Sequence, residues 1–228
     1  MKKITYFGHA CFELNWNGKS IVFDPFIRGN SLAKDVNVKN IMPHLLLLSH
    51  AHSDHVADAV EIALQSNAEC IAVFEICSWL QNQGVTNFHP TNIGGKLKRD
   101  ELTIVHTPAL HSSSFDDGTY GGIAGGFVIK SERESIYFAG DTALFSDLKL
   151  IGEMHQPQWA ILPIGGNFTM DVDDAIVAAK WLGVKQVIGM HFDTFGYIQI
   201  DHQHAIEKFK SQGIELHLLN IGEMKELD

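Results

Sequence analysis

The feature that most constrains this chain is a histidine-rich segment placed directly after an apolar run. Residues 49–55 read Ser-His-Ala-His-Ser-Asp-His and follow four consecutive leucines. A short apolar run of this kind predicts a buried β-strand, so the polar residues would lie where that strand ends. Residues two apart in an extended chain point to the same side, which applies to His50, His52 and Asp54. His55 points elsewhere unless the chain turns.

These four side chains carry the donor atoms of a metal site. A loop that offers imidazoles in two directions, with a carboxylate between them, suits two adjacent metal ions better than one. Imidazole and carboxylate ligands favour zinc, iron, manganese or nickel, and the residue types do not choose among these metals. The alternative interpretation, a solvated polar loop, does not account for four candidate ligands within six residues.

Length and composition narrow the class of protein. The 228 residues fit one large domain, and the 45% apolar share is ordinary for a chain with a core. No apolar stretch approaches the ~20 residues of a membrane span, and no signal-peptide pattern is present, so we expect a soluble, cytoplasmic protein. An odd number of cysteines without a Cys-x-x-Cys pair argues against disulfides and thiolate metal sites. We expect buried thiols at Cys11, Cys70 and Cys77.

The charge of the chain bears on its partners. A formal net charge of −10 would repel nucleic acid and anionic membranes. Bound metal cations would offset part of that charge locally. We therefore expect a small-molecule substrate, no nucleic-acid partner and no membrane, and we leave open a homo-oligomer.

Strand-like and helix-like segments alternate along the whole chain. Short apolar or alternating runs predict strands at 4–7, 11–15, 20–23, 45–48, 71–74, 102–106, 121–129, 135–139, 159–163, 186–190 and 215–219. Helical spacing predicts helices at 56–65, 75–82, 172–182 and 202–212, with Asp171 as the N-cap of the third. Two sheets flanked by helices would accommodate this order in an α/β fold.

Polar residues recur where the predicted strands end. Beyond the first cluster, three further candidate ligands are His111, Asp141 and His191. Each alone is a weak signal, because an aspartate after a glycine, as at Gly140-Asp141, is commonly a turn residue. Their placement adds weight, since ligands at strand ends that face one edge are typical of an α/β scaffold with a single active site.

Taken together, these motifs resemble the metallo-β-lactamase superfamily of metal-dependent hydrolases. The resemblance rests on His-x-His-x-Asp-His, a downstream histidine, an aspartate after one strand and a histidine after another, and it covers about residues 1 to 225. The start Phe7-Gly8-His9-Ala10 and the segment Gly-Gly-Asn-Phe-Thr-Met at 165–170 are similar to a compact, UPF0173-like subgroup related to ascorbate-6-phosphate lactonases. The resemblance implies a single domain over residues 1–228 with a four-layer αββα sandwich fold.

The resemblance also implies a ligand set for two divalent metal ions. One ion would be held by His50, His52 and His111. The other would be held by Asp54, His55 and His191, and Asp141 would bridge the two. Zinc is the first expectation, with manganese, iron or nickel as alternatives.

The chemistry expected of such a site is hydrolysis. A hydroxide that bridges two cations forms near neutral pH and would attack an acyl or phosphoryl centre, while one metal polarises the substrate oxygen. The predicted function is therefore cleavage of a small ester, lactone or phosphoester. Asp54 could ligate metal and also accept the proton of the attacking water.

Other residues are candidates for supporting roles. His9, in a tight turn between two strands, could protonate the leaving group, and the alternative is a turn histidine in solvent. Asp24 could orient a ligand imidazole through its other ring nitrogen, and the alternative is a plain turn aspartate. Substrate contacts are expected from Arg28, which can pair with a carboxylate or phosphate, and from Asn167 and Thr169.

Two competing functions remain open at this point. One is a phosphodiesterase or nuclease on the same fold. The acidic balance and the lack of an apparent inserted nucleic-acid arm or cap domain favour a small substrate instead. The other is a non-catalytic metal-binding protein that keeps the site for stability, and seven candidate ligands with an aspartate able to bridge argue against it.

Overall fold

A computed structural model describes residues 2–227, in which two seven-stranded β-sheets are found. The chain forms two compact units, and each unit contains one sheet. The first unit takes the described residues up to Asn92, together with Ser112–Ile123 and the segment from Leu219. The second unit takes Ile93–His111 and Ala124–Leu218.

The strands and helices of the described residues follow one another in an α/β order. The strands are β1 (Lys2–Gly8), β2 (Cys11–Trp16), β3 (Lys19–Phe23), β4 (Leu45–Leu47), β5 (Glu69–Val73), β6 (Phe88–Thr91), β7 (Lys96–Arg99), β8 (Leu102–Pro108), β9 (Gly125–Lys130), β10 (Ser135–Phe138), β11 (Trp159–Pro163), β12 (Gln186–Met190), β13 (Glu215–His217) and β14 (Met224–Glu226). The helices are α1 (Ser53–Val56), α2 (Ala59–Ser66), α3 (Phe74–Asn82), α4 (Leu148–His155), α5 (Val172–Leu182) and α6 (His202–Ser211).

The sheet of the first unit has the order β14-β1-β2-β3-β4-β5-β6. Its first strands pair antiparallel, and β3 to β6 pair parallel. The leucines of β4 are all buried, as expected for a parallel strand covered on both faces. Because β3 and β4 are parallel, their carboxyl ends meet at one edge of the sheet. Asp24 follows β3 there, and the histidine segment follows β4.

The sheet of the second unit has the order β13-β12-β11-β10-β9-β8-β7. Strands β10 to β13 are parallel, whereas β7 to β10 pair antiparallel. Two antiparallel steps give β8 the same direction as β10, so the carboxyl ends of β8, β10 and β12 meet at one edge. Three predicted ligands follow these ends in turn: His111, Asp141 and His191.

Each unit has a buried interior built from these strands. In the first unit, the core includes all three cysteines, each at most 1% exposed. Burial raises the pKa of Cys70 to about 12 and that of Cys77 to about 11, so both remain thiols at neutral pH. The expectation of buried thiols is confirmed. No helix within residues 2–227 has the length and apolar character needed to cross a membrane.

One predicted helix is divided in the structure. The apolar spacing predicts a helix at 56–65, but α1 ends at Val56 and α2 begins at Ala59. Asp58 lies between them, and its Oδ2 accepts the backbone N–H groups of Ile27 (2.6 Å) and Arg28 (3.1 Å). These bonds hold the start of α2 against the segment after β3. A pattern of apolar spacing carries no information about such a long-range anchor.

Candidate metal centre

The histidine segment leaves β4 extended and then turns into α1. His52 is the N-cap of this helix, with φ −63° and ψ 146°, and Asp54 and His55 lie within the helix. His50 Nε2 is 3.0 Å from His52 Nδ1, and the two rings are close to perpendicular at 81°. These two nitrogens therefore lie on the same side of the segment, as the alternation predicts. The alternation ends at His52, so the position of Asp54 is set by the helical turn instead.

A buried carboxylate organises two of these histidines. Asp24 follows β3 and is fully buried. Its Oδ1 accepts the Ser49 backbone N–H at 2.8 Å, and its Oδ2 accepts the Ser49 hydroxyl at 2.5 Å. The same Oδ2 lies 2.9 Å from His55 Nδ1, while the Ser49 hydroxyl oxygen lies 2.9 Å from His50 Nδ1. One carboxylate thus reaches both rings, one directly and one through a hydroxyl.

Counting protons fixes the ring nitrogen that each histidine offers. The Ser49 hydroxyl has one proton and gives it to Asp24, so it accepts a proton from His50 Nδ1. His55 donates its Nδ1 proton to Asp24 directly. A neutral imidazole held in this way presents its Nε2 lone pair, the form that binds a metal. Desolvation raises the pKa of Asp24 above its usual value, and hydrogen bonds from His55 and Ser49 act in the opposite direction.

His9 lies in the same unit and is 1% exposed, so the alternative of a turn histidine in solvent is wrong. Its backbone is left-handed (φ 57°) at the irregular turn between β1 and β2. His9 Nε2 is 3.1 Å from Asp54 Oδ2, and its ring packs edge-on against His55 with centroids 5.4 Å apart. His9 can therefore exchange a proton with Asp54, and it can equally offer a nitrogen to a metal.

In the second unit, two histidines predicted as ligands lie near one carboxylate oxygen of a third predicted ligand, Asp141. Asp141 Oδ2 lies 2.9 Å from His191 Nε2 and 3.6 Å from His111 Nε2. Asp141 and His191 are buried, whereas the His111 side chain is slightly exposed. Asp141 follows Gly140, which lies two residues after the end of β10 and has a left-handed backbone (φ 61°). The carboxylate of Asp141 thus brings together the two histidines predicted as ligands in this unit.

Three hydroxyl residues support these ligands and were not predicted. Besides Ser49, the Ser112 hydroxyl lies 3.3 Å from His52 Nε2 in the first unit. In the second unit, the buried Thr142 hydroxyl accepts the Leu110 backbone N–H at 3.0 Å, which ties the segment of His111 to that of Asp141. Each hydroxyl residue is a sequence neighbour of a candidate ligand. That adjacency was the only signal in the sequence, because their other partners, Asp24, His52 and Leu110, lie 25 to 60 positions away along the chain.

The predicted substrate contacts have varied surroundings. The Arg28 guanidinium binds Glu61 at 2.8 and 2.5 Å and lies 3.7 Å from Asp58, so it is already paired with carboxylates. Asn167 is exposed and left-handed (φ 57°). The Thr169 hydroxyl is 3.4 Å from the Met170 carbonyl. Arg28 and Asn167 are thus exposed and Thr169 is half-buried, and the Arg28 guanidinium differs from the other two side chains in being paired with carboxylates.

The chemistry of the donors suits a divalent transition metal. Asp24, His50 and His55 offer donor atoms within 4.8 Å of one another, and so do His9, Asp54 and His55. The donors are imidazole nitrogens and carboxylate oxygens, a set that suits zinc, iron, manganese and nickel. The histidines and aspartates of this chain are therefore able to bind metal.

Comparisons with known proteins show the family of this chain. Residues 3–191 match the family model of the beta-lactamase superfamily domain. A relative from Flavobacterium johnsoniae, named as a UPF0173 metal-dependent hydrolase, is 49% identical over 99% of this chain and 100% of its own length. A relative of the same name from Methylacidiphilum infernorum is 48% identical over 97% of this chain and 98% of its own.

A solved structure is also similar over its whole length. Igni18, described as a novel metallo hydrolase from Ignicoccus hospitalis, has a TM-score of 0.89 and 36% identity, covering 100% of this chain and 99% of its own. An isothiocyanate hydrolase from Delia radicum gut bacteria has a TM-score of 0.82 at 20% identity. The match covers 99% of this chain and 98% of that protein. At that identity, the second likeness shows the fold alone.

The fold and the donor residues define a metal-dependent hydrolase with the α/β sandwich of the metallo-β-lactamase type. The predictions of family, fold class and enzyme class are confirmed. The chain belongs to the beta-lactamase superfamily, among its UPF0173 metal-dependent hydrolases.

Proposed function

We propose that this chain binds two divalent cations and hydrolyses a small ester, lactone or phosphoester. The observation that carries the proposal is the contact of one buried carboxylate with two histidines of the same motif. Asp24 gives both His50 and His55 the tautomer that presents Nε2, directly or through Ser49. A buried, fully hydrogen-bonded aspartate in this position has a clear use if both rings are ligands.

The proposed ligand set joins the donors of the two units. Family membership supports this joining, because the matched region spans residues 3–191 and includes all seven candidates. One cation would be held by His50, His52 and His111, the other by Asp54, His55 and His191, and Asp141 would bridge them. Zinc is our first choice among the metals that suit these donors.

The cations, when bound, would supply Lewis acidity, activating water and polarising the substrate oxygen. The remaining work falls to side chains of this chain. Asp54 has two oxygens, so it can bind metal through one and accept the proton of an attacking water on the other. His9 Nε2 lies beside Asp54 and would pass that proton to the leaving group. Asp24 and Ser49 keep the ligand rings from rotating as charge develops.

The first test is metal binding by the wild-type protein and by Asp24→Asn. After removal of metal with a chelator and reloading with zinc, we expect two equivalents per wild-type chain by mass spectrometry. Asp24→Asn should bind zinc roughly 10- to 100-fold more weakly, because the amide cannot accept both ring and hydroxyl protons. Unfolding of the metal-free variant serves as the control for folding. Equal zinc affinity in both proteins would refute the role of Asp24.

The second test concerns the reaction. The zinc-loaded protein would be screened with lactones, carboxylic esters, phosphomonoesters and phosphodiesters, including RNA. Turnover of esters or lactones that disappears in Asp141→Ala is the expected result. Cleavage of phosphodiesters or RNA alone would favour the nuclease function. Full metal loading without turnover of any substrate class would favour the non-catalytic function.

A further inference from the structure

Two large aromatic side chains are exposed on loops of the second unit. Phe168 is 50% exposed and Tyr197 is 79% exposed. Their ring centroids are 6.3 Å apart and their planes cross at 81°, an edge-to-face arrangement. Exposed aromatic groups that pack against each other on a surface often mark a contact with a ligand or partner.

The loop that carries Phe168 is fixed at both ends to segments with candidate ligands. At one end, a side chain on Gly165 would lie 2.1 Å from the carbonyl oxygen of His191, so the two backbones are in close contact. At the other end, the Met170 backbone N–H donates to the Thr142 carbonyl at 3.0 Å, one residue after Asp141. Phe168 therefore lies on a short bridge between the segments of Asp141 and His191.

The loop that carries Tyr197 follows His191 directly and is held by Asp193. The Asp193 backbone N–H donates to the Ile198 carbonyl at 2.8 Å, and its Oδ1 accepts the Ile200 N–H at 3.1 Å. Ile198 is buried, and its Cβ would be 2.9 Å from a Cβ added at Gly165. The two aromatic loops thus pack against each other at Gly165 and Ile198.

The composition of these loops indicates the chemistry of their ligand. Residues 164–170 and 191–200 contain no lysine or arginine. A phosphate or another strong anion would therefore find no cationic side chain on either loop. Two exposed rings are suited instead to an apolar or aromatic group, which they can cover on one side.

We propose that Phe168 and Tyr197 form an aromatic clamp that binds an aryl or alkyl group of the substrate. This inference rests on the proposed function, because the clamp acts on a molecule whose scissile bond is at the metal ligands. It narrows the substrate class to esters or lactones with an apolar group and disfavours phosphorylated sugars. The rings are specificity residues and take no part in proton transfer.

The test uses two chelating probes that differ only in the apolar group, acetohydroxamate and benzohydroxamate. Both bind a metal centre through the same atoms. With zinc-loaded wild-type protein, calorimetry should give a Kd about tenfold lower for benzohydroxamate. In Phe168→Ala and in Tyr197→Ala the ratio should fall below about threefold, while the Kd of acetohydroxamate stays within about twofold.

Two variants serve as controls for the clamp. Tyr197→Phe keeps the ring and should retain the wild-type ratio. Met154→Ala removes an apolar side chain of similar exposure (65%) from α4 in the same unit and should also have no effect on the ratio.

The outcomes separate the two proposals. If neither hydroxamate binds the zinc-loaded protein, the metal centre of the proposed function fails. If both probes bind but their ratio is the same in wild type and in the alanine variants, only the clamp is refuted.

Discussion

At the scale of single residues, His9 has two chemical roles open to it. Its Nε2 lies 3.1 Å from Asp54 Oδ2, in a position to donate a proton or to bind metal beside that carboxylate. The sequence places His9 in a turn between two strands, and this much is correct. Its burial and its contact with Asp54 depend on a pairing across 45 positions of the chain, which no local pattern encodes.

Replacement of His9 separates these roles. If His9 is the proton donor, His9→Ala should lower kcat roughly a hundredfold on the substrate found by the screen, with zinc content unchanged. His9→Gln retains a hydrogen-bond donor towards Asp54 but cannot transfer a proton, and should be equally slow. Mass spectrometry of both variants decides the matter. Loss of one zinc equivalent per chain would make His9 a ligand and overturn its assignment as the acid.

Single residues also show which part of the candidate site could not be predicted from the sequence. The seven metal-ligand candidates were recognisable because histidines and aspartates follow apolar runs. Five of them lie in segments that follow strands, and Asp54 and His55 lie in α1, which comes after β4. Ser49, Ser112 and Thr142 have no such signature, since serine and threonine are common in loops. Their contacts with ring nitrogens and backbone groups appear only when the strands are paired.

At the scale of elements, the buried parallel strands were the most predictable part of the fold. The predicted bounds of β11, β12 and α5 are confirmed without change. The strands β6, β7 and β14 were missed, because Phe-His-Pro-Thr, Lys-Leu-Lys-Arg and Met-Lys-Glu contain no apolar run and their β-structure depends on a neighbouring strand. The helix α4 was also missed. Apolar patterns thus predicted the strands inside both described sheets, but they failed at three of the four sheet edges.

Helix α5 gives a prediction at this scale. The Asp171 side chain accepts the backbone N–H of Asp174 at 2.9 Å, so its predicted role as N-cap is confirmed. Asp171→Ala should lower the free energy of unfolding by about 1 kcal/mol, because an N–H group of the first turn loses its acceptor. Urea denaturation measures this change. Asp173→Ala, also in α5, is the control: it removes an exposed ion pair with Lys208 of α6 and should have a smaller effect. Equal losses would contradict the capping role.

At the scale of the whole molecule, stability should depend on pH through a histidine outside the candidate site. His106 lies in β8, is 1% exposed and stacks on Phe127 at a centroid distance of 4.7 Å. Among the described residues, neither of its ring nitrogens has a hydrogen-bond partner. Burial lowers the pKa of His106 from 6.5 to about 4. The folded protein therefore keeps this ring neutral in a range where the unfolded chain is protonated.

The sign of the effect follows from that order of pKa values. Above pH 6.5 the ring is neutral in both states, and its contribution to stability is complete. As the pH falls towards 4, the unfolded state gains a proton and the folded state does not, so stability decreases. From this ring alone we expect a loss of about 2 kcal/mol between pH 7.5 and pH 5.

The measurement is urea unfolding of metal-free protein at both pH values, in wild type and in His106→Leu. The other histidines are common to both proteins, so the difference between their pH dependences reports His106. Between pH 7.5 and pH 5, we expect the variant to lose about 2 kcal/mol less of its free energy of unfolding than the wild type loses. The same pH dependence in both proteins would show that His106 titrates normally in the folded state.

The placement of the three cysteines has a practical consequence for the molecule as a whole. They lie in the interior of the first unit, with thiol pKa values raised by burial. Alkylating reagents and mild oxidants attack thiolates that they can reach, and here they meet none until that interior opens. The rate at which such reagents modify the native protein therefore measures how fast its first unit opens. No added label is needed for this measurement.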